Sequence, residues 1–349
     1  MAICFYGYTS FHRICLASTF CAVGLLSGFS ADASETGHYV AGVGNMLDTN
    51  APSQPGFYFE DMNYFYWTSR LNDSNGNKVD SVTLGPPPGV KVNISVDVSM
   101  YAQTPFFVWA TNWTLFGARY SVYVAPSFAN ANINAALSDA QGSGLSLNRS
   151  QFDMGDIVIN PLWLNWSFPH WDVSVAEGFY APIGRYKTML VTRPVIGTVR
   201  AESSDNIGLG FWTNQMQASV TYYPFPERGT AINVALTYEI HGKKKDFDLT
   251  PGQDLSLNWG VQQYLPLNKD GTLLLDAGPA GYCTWQISRD SGADATPGGI
   301  EDSVCAAGGQ IGLTYVPLAL AVNMHAFSEF ESVDRFQGTT FGINIQKKL

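Results

Sequence analysis

Residues 90–100 read VKVNISVDVSM, with Val90, Val92, Ile94, Val96, Val98 and Met100 apolar and Lys91, Asn93, Ser95, Asp97 and Ser99 polar between them. Strict period two over this length puts the two sets on opposite faces of a β-strand. Such a strand must hide its apolar face in lipid, in a core or against a partner. The rest of the chain decides which.

The same code recurs. Residues 231–241 alternate Ile232, Val234, Leu236, Tyr238 and Ile240 with Asn233, Ala235, Thr237, Glu239 and His241. Residues 254–265 set Leu255, Leu257, Trp259 and Val261 against Asp254, Ser256, Asn258 and Gln262. Twelve strands can be read in this way between residues 57 and 346. Their connections alternate: 69–89, 128–151, 182–207, 242–253 and 289–305 are long, whereas 111–114, 167–170, 224–229, 266–271 and 316–317 are short; on the long side only the last loop, near 332–336, is short. An even strand count, with long loops on one side and tight turns on the other, predicts an all-β fold. It is an antiparallel transmembrane β-barrel of about 12 strands with periplasmic termini. The apolar files listed for these strands contain no Lys or Arg, and Lys78, Arg149, Arg185, Lys187, Arg193, Arg200, Lys243, Lys244, Lys245 and Arg289 all fall in the long connections. A soluble β-sandwich also alternates, but with shorter strands and fewer aromatic residues bounding its apolar files. Pro105 predicts a bulge or a break in pairing, and Glu177, out of step in residues 171–180, predicts a rim or a bulge.

The first residues read as an export signal. His12 and Arg13 precede an apolar run over 14–29, and Ala31-Asp32-Ala33 offers small residues for cleavage. The domains expected are therefore a signal peptide at 1–33, an irregular arm at 34–55 and a barrel at 56–349. Past residue 33 no apolar run approaches the ~18–20 residues of a membrane helix, so a membrane form has to be a closed barrel. Arg13 and Asp32 leave together, so the formal charge stays at -10, which excludes the basic surface that nucleic-acid binding needs. Cys4, Cys15 and Cys21 leave with the signal, and Cys283 and Cys305 remain as an expected disulfide in an oxidising compartment.

Residues 37–45 (GHYVAGVGN), followed by PGFY at 55–58 and NYFY at 63–66, resemble the start of a family of bacterial outer-membrane proteins named for the MetA pathway of phenol degradation. Residues 156–166 (DIVINPLWLNW) resemble the family's middle strand. The resemblance implies an outer-membrane barrel that passes small hydrophobic or aromatic compounds, with lipid and lipopolysaccharide as its surroundings. The competing reading is a structural or adhesive barrel that acts through its extracellular loops.

If the apolar files face lipid, the polar files face a lumen. Its candidate residues are Asp97, Arg119, Asp156, Asn233, Glu239, His241, Asn258, His325 and Glu329. The arm is short enough to fold inward as a plug, with His38 and Tyr39 as wall contacts. His38, His170, His241 and His325 follow neither a nucleophile motif of the G-x-S-x-G kind nor a recognised metal-ligand spacing. The sequence thus predicts no enzyme activity, no cofactor and no metal.

Overall fold

A computed structural model describes residues 37–84, 90–138, 144–193, 197–203, 206–296 and 299–349. The expected signal peptide lies outside these residues. The described chain forms strands β1 (Gly56–Thr68), β2 (Ser81–Leu84), β3 (Val90–Leu115), β4 (Ala118–Ser138), β5 (Gly144–Ser167), β6 (Trp171–Ala181), β7 (Thr188–Arg193), β8 (Gly197–Glu202), β9 (Thr213–Tyr222), β10 (Thr230–His241), β11 (Asp254–Pro266), β12 (Leu273–Gln286), β13 (Ser303–Tyr315), β14 (Leu320–Val333) and β15 (Thr339–Lys348). Twelve of them close into an antiparallel barrel, because β1 pairs with β15 on one side and with β3 on the other. Closure leaves no open sheet edge for lipid to meet. The remaining three decorate the long connections: β2 borders the outer part of β3, and β7–β8 form a separate hairpin between β6 and β9.

The faces follow the alternation. On β10, Ile232, Val234 and Leu236 are 40%, 46% and 45% exposed, whereas Asn233, Ala235 and Thr237 between them are at most 1% exposed. A soluble core would reverse these values, so the apolar files point outward and the polar files inward. The short turns are equally local in origin. Phe116 and Gly117 join β3 to β4 with φ of 52° and 79°, the doubly left-handed turn whose twist matches a hairpin.

Two strands run much longer than the sequence suggests. β4 and β5 have 21 and 24 residues, beside a β3 of 26 residues, so most of the expected loop at 128–151 is hairpin. The β1–β3 ladder ends at Thr68 and Val98, and residues 90–97 continue beyond the closed barrel. This corrects the reading of the 90–100 stretch. On β3, Val108 and Ala110 are buried inward while Phe107 and Trp109 are exposed outward. The β3–β4 register is unbroken from Asn93 to Ala110, so Val92, Ile94, Val96 and Val98 share the inward side. Asn93, Ser95 and Asp97 therefore point outward, and all three are exposed. Asp97 is not a lumen residue. Past the end of the β1–β3 ladder the strand inverts its polarity without changing its parity, the inversion that a change of outer medium from lipid to water predicts.

Pro105 produces a gap and no bulge. Pairing between β3 and β4 lapses between Gln103–Phe128 and Phe107–Val124 with the register kept, which sets Pro105 opposite Pro126. Neither residue has an N–H to offer. The register shift lies further on, between Ala110 and Thr114. Glu177 is exposed on the outer face, and its partner Leu162 borders a register shift in β5. Cys283 and Cys305 are direct partners across β12 and β13 and form the expected disulfide.

Candidate functional site: the barrel interior and its N-terminal arm

Gly56 and Lys348, at the ends of the barrel sequence, lie together on the short-turn side. The arm then carries the chain back through the interior, as its contacts along β10 and its neighbours record. Asn50 donates to Thr221 Oγ1 at 2.7 Å, and Ser219 donates to the carbonyl of Thr49. Met46 N–H donates to Gln310 Oε1 and Gly42 N–H to Asn258 Oδ1. Tyr39 N–H reaches both oxygens of Glu239 at 3.1 Å, and His38 lies beside His241 through Thr213. Residue 37 is thus at the long-loop end of the interior. The short-turn placement expected for the chain's start holds for β1 alone.

Side chains of the arm also close three buried apolar clusters inside the barrel. Ala41 joins Ala280, Tyr282, Val304, Ala306 and Phe327. Ala51 joins Val108, Trp163 and Ala176, and Met46 joins Tyr223 and Ala231. These inward aromatic residues were missed by the sequence reading, although a signal existed. Phe327 stands in the file of Asn323, His325 and Glu329, and Tyr282 in the file of Thr284 and Gln286. A large apolar residue in a polar file marks a contact for something inside.

The long-loop end holds the densest polar group. His38 Nε2 contacts Asp156 Oδ2 at 3.0 Å, and His38 Nδ1 contacts Thr213 Oγ1 at 2.7 Å. From the other side, His241 Nδ1 contacts the same hydroxyl at 2.7 Å, and its Nε2 contacts Asp254 Oδ2 at 3.0 Å. Tyr180 stacks on the His38 ring, and Phe211 meets both imidazoles edge-on. Asp156 also accepts from the backbone N–H of Gly184 and Leu209, which ties the 182–212 connection to the arm. Burial, its largest influence, lowers the pKa of His38, partly offset by Asp156.

Of the candidate residues, Asp156, Glu239, His241, Asn258, His38 and Tyr39 come together here, with Asn258 Nδ2 donating to the Tyr39 hydroxyl at 3.0 Å. Glu329 forms a second centre, accepting from the hydroxyls of Tyr66 and Tyr282 and from Gly338 N–H. Asn233 is lower in the interior and donates to Thr221. Arg119 pairs with Asn165, two residues beyond the short Phe116-Gly117 turn. His325 is buried against Gly342, and neither ring nitrogen has a partner among the described residues.

Asp48 supplies a pH test of arm docking. It belongs to the 3-10 turn Met46–Thr49, where burial raises its pKa beside the carboxyl of Glu60. A carboxyl whose docked pKa exceeds its free value of 3.8 favours docking when protonated, so docking tightens as pH falls from neutral and levels off below the free value. Amide exchange over residues 39–50 should therefore slow in the wild type relative to Asp48→Asn as pH drops from 7.5 to 5. A constant ratio between the two proteins would contradict this; the shared His38 cancels from the comparison, and the difference reports Asp48 together with its contact to Glu60.

The family model described as "Putative MetA-pathway of phenol degradation" matches residues 68–345. Among solved structures, the COG4313 outer membrane channel from Pseudomonas putida F1 aligns with a TM-score of 0.61 at 12% identity, over 88% of this chain and 100% of that one. At that identity the likeness establishes the fold. The β domain of the Bordetella autotransporter BrkA follows with a TM-score of 0.46 and 8% identity, over 85% and 100% of the two chains. The CymD monoaromatic hydrocarbon channel gives 0.40 and 9%, over 85% and 89%. No curated protein is significantly similar in sequence. Fold and family model together place the barrel in the bacterial outer membrane.

Proposed function

This chain belongs to the MetA-pathway of phenol degradation family, and from that premise we propose that it is a channel for passive uptake of small hydrophobic, including aromatic, compounds. The observation that carries the reading is the composition of the interior. A wall of Asn, Gln, Thr and Ser is interrupted by aromatic clusters built on Trp163, Tyr223, Tyr282 and Phe327, and the arm completes each of them, with Ala41 and Tyr39, with Ala51, and with Met46 and Leu47. A solute that displaced the arm would meet these rings in its place. Apolar solutes are held back by the polar sugars of lipopolysaccharide, and a lumen that alternates wet wall with aromatic patches offers them partial burial without a deep trap.

In this reading residues 1–33 are a cleaved signal, 34–55 are a plug and 56–349 are the conducting barrel, with the short turns in the periplasm. Asp156, Asn233, Glu239, His241, Asn258, His325, Glu329 and Arg119 are lumen wall, and His38 and Tyr39 anchor the plug. Transport by this route needs no catalytic group. Uptake of a labelled aromatic solute into proteoliposomes should exceed that into protein-free vesicles and should follow the concentration gradient. Equal uptake by the two kinds of vesicle would overturn the proposal.

A further inference from the structure

We propose that Glu239, His241 and Asp254 form a binding site for a divalent cation of the zinc type, between the barrel wall and the arm. The three come from adjacent strands, β10 and β11, and Glu239 pairs directly with Asp254. Their ligand atoms all lie within 4.8 Å of one another, and all three residues are buried. Imidazole with two carboxylates is a donor set that zinc accepts.

Two independent features ask for positive charge at this place. The first is electrostatic. Glu239 and Asp254 both face Gly37, where a side chain would run into both carboxylates. Among the described residues neither acid has a lysine or arginine ion partner; the only ion pair is the one between Asp254 and His241 itself. Two buried carboxylates at close range are unfavourable unless a cation or a proton is shared between them.

The second is a count of hydrogens. Asp156, His38, Thr213, His241 and Asp254 form one unbroken chain of contacts of 2.7 to 3.0 Å. Each carboxylate accepts only, so both Nε2 atoms must carry hydrogen if both rings bond to them. Both Nδ1 atoms of neutral rings then need a hydrogen from Thr213, whose hydroxyl has just one. The chain is therefore one positive charge short with neutral rings. A cation on His241 Nε2 resolves the shortage: His241 donates from Nδ1 to Thr213, Thr213 donates to His38 Nδ1, and His38 donates from Nε2 to Asp156. Thr213 then holds the ligand's second nitrogen, as the supporting residues of histidine metal sites commonly do. Because Glu239 also receives Tyr39 N–H, the cation would lie directly beneath the arm. The spacing was invisible in the sequence because Glu239 and His241 share a file two residues apart while Asp254 arrives from the next strand.

Untagged protein, refolded in detergent and stripped with chelator, tests the site. Zinc titrated calorimetrically should bind one equivalent at micromolar or lower concentration, with calcium and magnesium far weaker. Glu239→Gln and Asp254→Asn should each weaken binding at least tenfold, and His325→Ala, which removes a distant interior imidazole, should leave it unchanged. Heat-modifiable gel mobility shows which variants have closed their barrels. Should the variants fail to close, cobalt(II) bound to the wild type gives visible absorption bands that one equivalent of zinc should abolish. Absence of both the zinc heat and the cobalt bands in the wild type, or equal binding by folded Glu239→Gln and Asp254→Asn, would overturn the proposal and leave a proton as the missing charge.

Discussion

Deleting residues 34–55 is expected to raise single-channel conductance several-fold while the barrel still folds. The barrel does not need the arm to close, since β1 begins at Gly56 and pairs fully with both β3 and β15. The arm, in contrast, occupies the interior from Asn50, bonded to Thr221 near the short turns, to His38, beside His241 at the long-loop end. Its loss removes Ala41, Met46 and Ala51 from the three apolar clusters and frees the acceptors on Glu239, Asn258 and Gln310. Those groups face an interior that water can then enter, so the penalty of leaving polar atoms unpaired is small and folding is preserved. Conductance equal to that of the full chain would show that the arm does not limit the pore. An unfolded product would show that the arm belongs to the barrel's core, and gel mobility separates the two failures. Disrupting the anchor alone, with His38→Ala and Tyr39→Ala together, should give a smaller increase with more frequent opening events.

The barrel itself was legible because its cause is local. The polar file Thr213, Gln215, Gln217, Ser219 and Thr221, and the files of β10 and β11, each follow from one strand read alone, and the solvent rule applied to each is the same. What could not be read were statements about where one medium ends and another begins. Val92 to Val98 obey the same alternation as Ile232 to Ile240, yet they face inward, because nothing in period two distinguishes lipid outside from water outside. The outer parts of β4 and β5 read as a loop for a different reason: Ala129, Ala131, Ile133 and Ala135 do alternate with Asn130, Asn132 and Asn134, but residues this small and polar have the composition of a connection. The interior centre joins His38, Asp156, Thr213 and His241 across wide sequence separations, and only closure of the barrel brings them together. That the arm could enter the interior with His38 and Tyr39 against the wall was suggested by its length and position. The aromatic residues that receive it, Phe327 and Tyr282 among them, stand in polar files, where alternation alone gives them no role.

Arginine placed at Val234 should cost about 2–4 kcal/mol of folding stability, and arginine placed at Ser95 should cost almost nothing, within about 0.5 kcal/mol. Both residues are outward-facing on long regular strands, and a uniform barrel would treat them alike. Val234 is 46% exposed near the middle of β10, flanked on the same outer face by Val220 of β9 and Trp259 of β11. A guanidinium there must be carried into hydrocarbon or bend far along the wall to leave it. Ser95 lies beyond Val98, where the β1–β3 ladder ends, in an outer file with Asn93 and Asp97 whose polarity already suits water. Val96→Arg completes the set. Its side chain points to the inner, apolar side of the overhanging hairpin, so it should lose packing without paying for lipid and fall between the other two. Unfolding midpoints in urea, measured in bilayers with heat-modifiable mobility as the readout, order the three variants. Equal losses at Ser95 and Val234 would mean that the hydrocarbon layer reaches past Val98. The overhanging part of β3 would then be membrane wall, and the polarity inversion would need a cause other than the change from lipid to water.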